Sequence, residues 1–212
     1  MKLLILDFDG TIADTKASII NTIQATLKEM GYEKADEKAI QERIGLPIND
    51  TFTAISAIPN DKIDYAIDLY RKNYNLICME CVTLFPNVVD TLQYLSKKGI
   101  VITVASSKGK TALNLLLEHL NIKQYISCVY GEQDVKNKKP APDMARLILE
   151  HEKCKPKEAL VVGDTVFDIQ MGQGAGCYTC GVTYGNNSYD ELLSQNATYI
   201  IDDFGNIKSL FD

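Results

Sequence analysis

The chain has 212 residues, 46% of them hydrophobic and 24% charged, with 13 Gly and 6 Pro, a globular composition that excludes disordered, collagen-like and low-complexity classes. A net charge of -6, with no basic run beyond Lys136–Lys139, excludes nucleic acid as a main partner, because backbone phosphates demand a broad cationic face. No stretch reaches the roughly 18 consecutive apolar residues of a membrane helix, and the apolar start Met1–Leu6 meets acid at Asp7 and Asp9, too early for a signal peptide.

Lys2–Leu6 is a short aliphatic run ending in Asp7-Phe8-Asp9-Gly10-Thr11, which predicts a buried strand entering a turn. Ile19, Ile20, Ile23, Leu27 and Met30 then recur at helical spacing and stop at Gly31. Further helices are predicted over Ala39–Ile44, Thr51–Ile58 and Ile63–Leu76, with turns at Gly45-Leu46-Pro47 and Pro59-Asn60-Asp61. No strand is predicted in this stretch. After Cys81 the pattern alternates. A helix over Val88–Leu95 precedes the apolar strand Ile100–Ala105, and a helix over Thr111–Leu120 precedes a strand at Ser127–Tyr130. A helix around Met144–Glu150 leads to the strand Ala159–Val162. A helix over Phe167–Met171 and strands at Tyr178–Val182 and Thr198–Ile201 follow.

Strands alternating with helices predict an α/β fold, a doubly wound parallel sheet covered on both faces. The helical stretch 14–81 interrupts it, so the expected organisation is a core of residues 1–13 and 82–212 with an inserted all-helical domain.

Ligands of open parallel sheets bind beyond the carboxyl ends of the strands. Asp7 and Asp9 follow the first strand, Ser106, Ser107 and Lys108 the second, and Gly163, Asp164 and Asp168 follow Val161-Val162. Lys139 sits before Pro140 at a stiff helix entrance. Carboxylates crowded at one point repel unless a cation joins them, and oxygen donors without His suit Mg²⁺. A carboxylate could then attack phosphorus, a lysine and hydroxyls could hold the phosphoryl oxygens, and a second acid could protonate the leaving oxygen. Taken singly, an Asp after a strand is a turn or helix cap, and Asp168 keeps that alternative. Ser107 and Lys108 read equally as a solvated loop, and Gly172, Gly174 and Gly176 as a helix stop. His119 and His151 fall near predicted helix ends.

Cys78/Cys81 and Cys177/Cys180 are Cys-x-x-Cys pairs that could supply four thiolates to zinc. Incidental placement is the alternative, and a cytoplasmic location, with all six cysteines reduced, is the expectation. No cysteine has an Arg six residues later, which excludes a cysteine phosphatase.

Asp7-Phe8-Asp9-Gly10-Thr11-Ile12 resembles the first motif of the haloacid dehalogenase superfamily. Ser106, Lys139 before Pro140, and Gly163-Asp164 with Asp168 resemble its second, third and fourth, in the same order. The resemblance implies a Rossmann-like core and an Mg²⁺-dependent phosphatase. Asp7 would be nucleophile and metal ligand, and Asp9 general acid/base with its carbonyl on the metal. Ser106, Ser107, Gly10 and Lys139 would hold phosphate, and Asp164 and Asp168 would bind metal, Asp168 directly or through water. The segment 14–81 would be a C1 cap closing over a small phosphate ester.

Gly45-Leu46-Pro47, Leu84-Phe85-Pro86-Asn87 and Gly181-Val182-Thr183-Tyr184-Gly185 resemble phosphoglycolate phosphatase-like members. Related pyrophosphatases and 5'-nucleotidases are alternatives, as is a non-catalytic metal- or phosphate-binding protein. β-Phosphoglucomutases fit poorly, with Ile19, Gly163 and Ile48 where they carry His, Glu and Arg. Arg43 and Gly45 are candidate substrate contacts, although Arg43 reads equally as a surface cation. A monomer is expected, with a dimer as the alternative.

Overall fold

β1 (Leu3–Leu6) is four aliphatic residues, each at most 1% exposed, and such a run is stable only where both faces of a strand are covered. In the computed structural model, which describes the backbone of residues 1–212 and every side chain except those of Cys78 and Glu80, β1 lies inside a six-stranded sheet. Its neighbours are β4 (Val101–Ala105) and β6 (Ala159–Gly163), both parallel to it. β5 (Cys128–Tyr130), β7 (Tyr178–Val182) and β8 (Tyr199–Ile201) complete the parallel order β5-β4-β1-β6-β7-β8.

Alternate residues of each strand feed opposite cores, as the pleat requires. Leu4, Leu6, Leu160 and Val162 join Leu92, Leu95, Leu113, Leu116, Phe204 and Ile207 on one face. These come from α5 (Val88–Lys97), α6 (Lys110–His119) and a C-terminal 3-10 segment, Phe204–Leu210. Leu3, Ile5, Ala159 and Val161 join Met144, Ile148 and Met171 on the other, from α7 (Asp143–His151) and α8 (Val166–Gly174). The doubly wound α/β arrangement expected from the sequence is therefore present.

Between β1 and β4 the chain makes a helical excursion. It leaves through β2 (Ala13–Asp14) and returns through β3 (Thr83–Leu84), which pair antiparallel. Within it are α1 (Lys16–Glu29), α2 (Glu37–Gln41), α3 (Ile48–Ile55) and α4 (Ile63–Cys81). Asp36 caps α2 by accepting from the Ala39 amide at 3.1 Å, so that helix starts two residues before the predicted one. α3 starts at Ile48, directly after Pro47, and ends at Ile55 rather than Ile58. A further helix, α9 (Tyr189–Ser194), was not predicted. The Ser188 hydroxyl and amide both donate to Glu191 at its first turn.

From β1 the chain departs toward β4, and from β6 it departs toward β7 on the opposite side. These diverging exits open a crevice beyond the carboxyl ends of β1 and β6, where doubly wound sheets take ligands. Ile5 lies at the centre of the sheet with 0% exposure. Ile5→Ala should lower stability by about 2–5 kcal/mol, read as a shifted denaturation midpoint at unchanged slope. A loss below about 1 kcal/mol would contradict this packing.

Candidate active site at the carboxyl ends of β1 and β6

Residues two apart on extended backbone share a side, so Asp7 and Asp9 follow the strand toward the crevice while Phe8 between them is fully buried in the core. The turn that follows is tight: the Ile12 and Ala13 amides both donate to the Phe8 carbonyl at 3.1 Å. Gly10 takes φ of +81° there, and a Cβ on it would overlap Asp164 Oδ2. Only glycine meets both demands.

Asp164, at the end of β6, has 0% exposure. Its Oδ1 accepts from the Thr11 hydroxyl at 3.1 Å, and its Oδ2 from the Asn186 amide and side chain at 2.8 and 2.7 Å. Asp168 stands in the first turn of α8, where its Oδ2 accepts from the Thr165 amide and hydroxyl at 3.1 and 2.6 Å. Its Oδ1 accepts from Lys139 Nζ at 2.5 Å, and the same ammonium reaches Asp7 Oδ1 at 2.6 Å. Asp168 is thus both a helix cap and part of the acidic centre. A Cβ at Gly163 would overlap the Asp168 side chain, so the glutamate of mutases has no room at this position.

One oxygen from each of Asp7, Asp164 and Asp168 lies within 4.8 Å of the others, and all three residues are buried. Lys139, 3% exposed at its side chain, is the cation set among them. Burial pushes the Asp7 carboxyl well above the carboxylate range, against the pull of Lys139 and with help from the neighbouring aspartates. Burial, then the charge of Asp168, pushes Asp164 to about 7. Burial opposes the charge on Lys139, but Asp168 and Asp7 outweigh it and hold the ammonium protonated. Once all three are ionised, three carboxylates against one lysine leave an excess of negative charge.

A cavity of about 220 Å³ opens beside Asp7, Asp9 and Ser106 and is closed by the helical segment through Ile19, Ile40, Ile44 and Tyr74. Ser106 is 1% exposed, and its Oγ accepts from the Lys108 amide at 3.2 Å. Three contacts join the two sides. Ser107 Oγ donates to the Gly45 carbonyl at 2.9 Å. Lys108 Nζ lies 4.0 Å from the Tyr74 ring centroid and 3.2 Å from Asp9 Oδ1. Arg71 Nη2 donates to Glu132 Oε1 at 2.9 Å. The Lys108–Asp9 approach is a charge contact without hydrogen-bond alignment, which leaves the buried Asp9 Oδ1 with no hydrogen bond among the described residues.

Asp9 stands apart from the three-carboxylate cluster, its side chain turned to Lys108. The Ser107 hydroxyl, expected to hold phosphate, is directed at Gly45 instead. Arg43 lines the cavity, but its Nη1 donates to the Ala39 carbonyl of the preceding helix α2 at 2.8 Å. Cys177 and Cys180 enter opposite cores of the sheet, and burial raises their thiols to about 11 and about 12. Neither belongs to a ligand cluster among the described residues, which removes them from any shared zinc site. Cys81 is a half-buried free thiol at the end of α4, and the side chain of Cys78, its partner in the other pair, lies outside the described residues. Sequence reasoning missed Thr11, Asn186, Glu132 and Arg71, and left Lys108 open. Only Thr11 carried a signal, lying inside the first motif.

Residues 4–182 match the family described as haloacid dehalogenase-like hydrolase. The chain belongs to that family. It is 31% identical over 199 residues to a pyrophosphatase PpaX of Bacillus velezensis, covering 94% of this chain and 91% of that protein. It is 30% identical over 222 residues to a phosphoglycolate phosphatase of Escherichia coli O157:H7, covering 92% and 86%. A predicted phosphoglycolate phosphatase from Haemophilus somnus superposes with a TM-score of 0.91 at 25% identity, covering 100% of this chain and 98% of that one. This haloacid dehalogenase-like chain is a phosphatase-type hydrolase, and no helix among its described residues is long and apolar enough to cross a membrane.

Gly10→Ala should fold but lose most activity, because it combines a strained φ, costing about 1–3 kcal/mol, with displacement of Asp164. Circular dichroism and phosphatase assays check this, and full activity would contradict the Gly10–Asp164 packing.

Proposed function

We propose that the chain is an Mg²⁺-dependent phosphatase that hydrolyses a small phosphorylated metabolite through an aspartyl-phosphate on Asp7. The observation that carries this reading is Asp7 buried against Lys139, Asp164 and Asp168 on one side of a cavity that Asp9, beside Lys108, also lines. Segment 14–81 acts as the cap in this reading, with residues 1–13 and 82–212 as the catalytic core.

The acidic centre suits a hard divalent cation: its donors are carboxylate oxygens, and Lys139 alone leaves them undercompensated. Asp7 and Asp164 would hold Mg²⁺, with the Asp9 carbonyl and Asp168 in support, Asp168 directly or through water. When bound, the ion cancels carboxylate repulsion and draws charge from the phosphoryl oxygens.

An Asp7 oxygen forms a bond to phosphorus as the ester P–O bond breaks, and Asp9 gives its proton to the leaving oxygen. Lys139, the Ser106 hydroxyl and the Gly10 backbone hold the phosphoryl oxygens. Asp9 then takes a proton from water as the water oxygen bonds to phosphorus, and the Asp7–phosphorus bond breaks to release phosphate. The apolar cap wall excludes bulk water between the steps. The cavity is smaller than the roughly 300–1,000 Å³ of drug-sized pockets, which favours a small monoester. The names of the relatives make phosphoglycolate and pyrophosphate the first substrates to test, with 5'-nucleotides beside them.

Asp7→Asn should lower turnover by on the order of 10³-fold or more and abolish a radiolabelled phosphoenzyme. Label on any other residue would overturn the Asp7 assignment, and wild-type inactivity with every divalent ion would favour a binding protein instead. Because Asp7 and Asp164 carry raised folded-state pKa values, the metal-free fold binds more protons than the unfolded chain between about pH 4 and 7. Its stability therefore falls as pH rises through that window. Mg²⁺ relieves the repulsion only where these groups are ionised, so the melting-temperature gain from Mg²⁺ should be larger at pH 8 than at pH 5. Equal gains would argue against a metal at this centre.

A further inference from the structure

We infer that Glu132 sets the class of substrate by occupying Arg71, so that the pocket takes phosphate monoesters of uncharged, partly apolar alcohols and discriminates against leaving groups with a second anion. This rests on the phosphatase reading above and narrows it.

Glu132 follows β5 in a 3-10 turn, Glu132–Asp134, and its side chain is 6% exposed. Both oxygens are used: Oε1 accepts from Arg71 Nη2 at 2.9 Å and Oε2 from Lys138 Nζ at 2.7 Å. Arg71 comes from α4, across the cavity, and both Arg71 and Glu132 line it. A buried carboxylate held by two cations is a fixed feature of the wall, because removing either partner would leave uncompensated charge.

The cavity has three lining cations, Arg43, Arg71 and Lys108, and each has a partner. Arg43 donates to the Ala39 carbonyl and has Glu42 at 4.0 Å. Lys108 is held between Asp9 and the Tyr74 ring. Arg71 is held by Glu132, with Asp68 at 3.4 Å. Aliphatic side chains, Ile19, Ile23, Ile40, Ile44 and Ile48, supply much of the remaining lining. A second carboxylate or phosphate entering there would lose hydration and find each cation engaged. An alcohol without charge meets none of these costs, since its only anionic group is the phosphoryl end held beside Lys139.

The test compares kcat/KM of the wild type, Glu132→Gln and Glu132→Gln/Arg71→Met on phosphoglycolate and pyrophosphate, against glycerol phosphate and phenyl phosphate. The wild type should favour the uncharged-alcohol esters by about tenfold or more, the low end of the cost of burying one polar group without a partner. Glu132→Gln frees the guanidinium and should raise the relative kcat/KM for the doubly anionic substrates by about tenfold, mainly through KM. The double variant should lose that gain. Wild-type preference for phosphoglycolate or pyrophosphate would overturn the inference, as would a uniform loss on all four substrates in Glu132→Gln, which marks a contact that only holds the cap. If Glu132→Gln does not fold, Glu132→Asp replaces it: the shorter acid loosens its grip on Arg71 and should shift the ratio the same way, and an unshifted ratio would overturn the inference. Absence of both turnover and phosphoenzyme in the wild type would instead refute the phosphatase reading, and this inference with it.

Discussion

A lysine ammonium buried between two carboxylates, with a third carboxylate beside them, is the constraint around which the crevice is organised. Burying any of these charges alone would be prohibitive, and burying them together is tolerable only with many hydrogen bonds. The chain supplies those bonds from separate places: Thr11 beside β1, Thr165 at the head of α8, and Asn186 after β7. Each local feature nearby follows from this demand. Gly10 clears space for Asp164, Gly163 clears space for Asp168, and the first turn of α8 is capped by the same acid that pairs with Lys139. The residual negative charge is a cost that the fold carries at this point.

The sheet was legible in the sequence because buried parallel strands are predominantly apolar, and here they are, with Thr103 and Thr179 the buried polar exceptions. Tyr178–Val182 matches its predicted bounds, and the other strands match within about one residue at each end. That Asp7 and Asp164 would meet followed from the rule that ligands gather beyond strand ends at a switch point. The helical stretch was read by period, and its errors lie where period is weakest. The helix over Glu37–Gln41 is little more than one turn and is defined by the Asp36 cap, not by an apolar stripe. The two-residue pair Ala13–Asp14 and Thr83–Leu84 is too short to show alternation. α9 was legible in principle, since Ser188-x-x-Glu191 is a capping-box pattern, but its single buried residue, Leu192, gave no periodicity.

Side chains that join distant parts of the chain were not legible. Lys108 follows two serines in a loop, where a lysine is ordinarily solvated. Its burial comes from Tyr74 and Asp9, residues of other elements. Glu132 is similar: a glutamate after a short strand reads as surface, and only Arg71 and Lys138 make its burial possible. The Cys177/Cys180 pair shows the converse case. Spacing alone suggested a shared ligand, yet a three-residue separation along extended backbone sends the two thiols to opposite faces.

The pairing of Ala13–Asp14 with Thr83–Leu84 brings the two ends of the helical excursion side by side. The ends of so long a loop are already joined, and the entropy of closing a loop grows only with the logarithm of its length. Residues can therefore be gained, lost or exchanged within the excursion at little thermodynamic penalty to the sheet beneath. Descendants of such a chain are free to diversify in what they admit while the chemistry below is inherited unaltered.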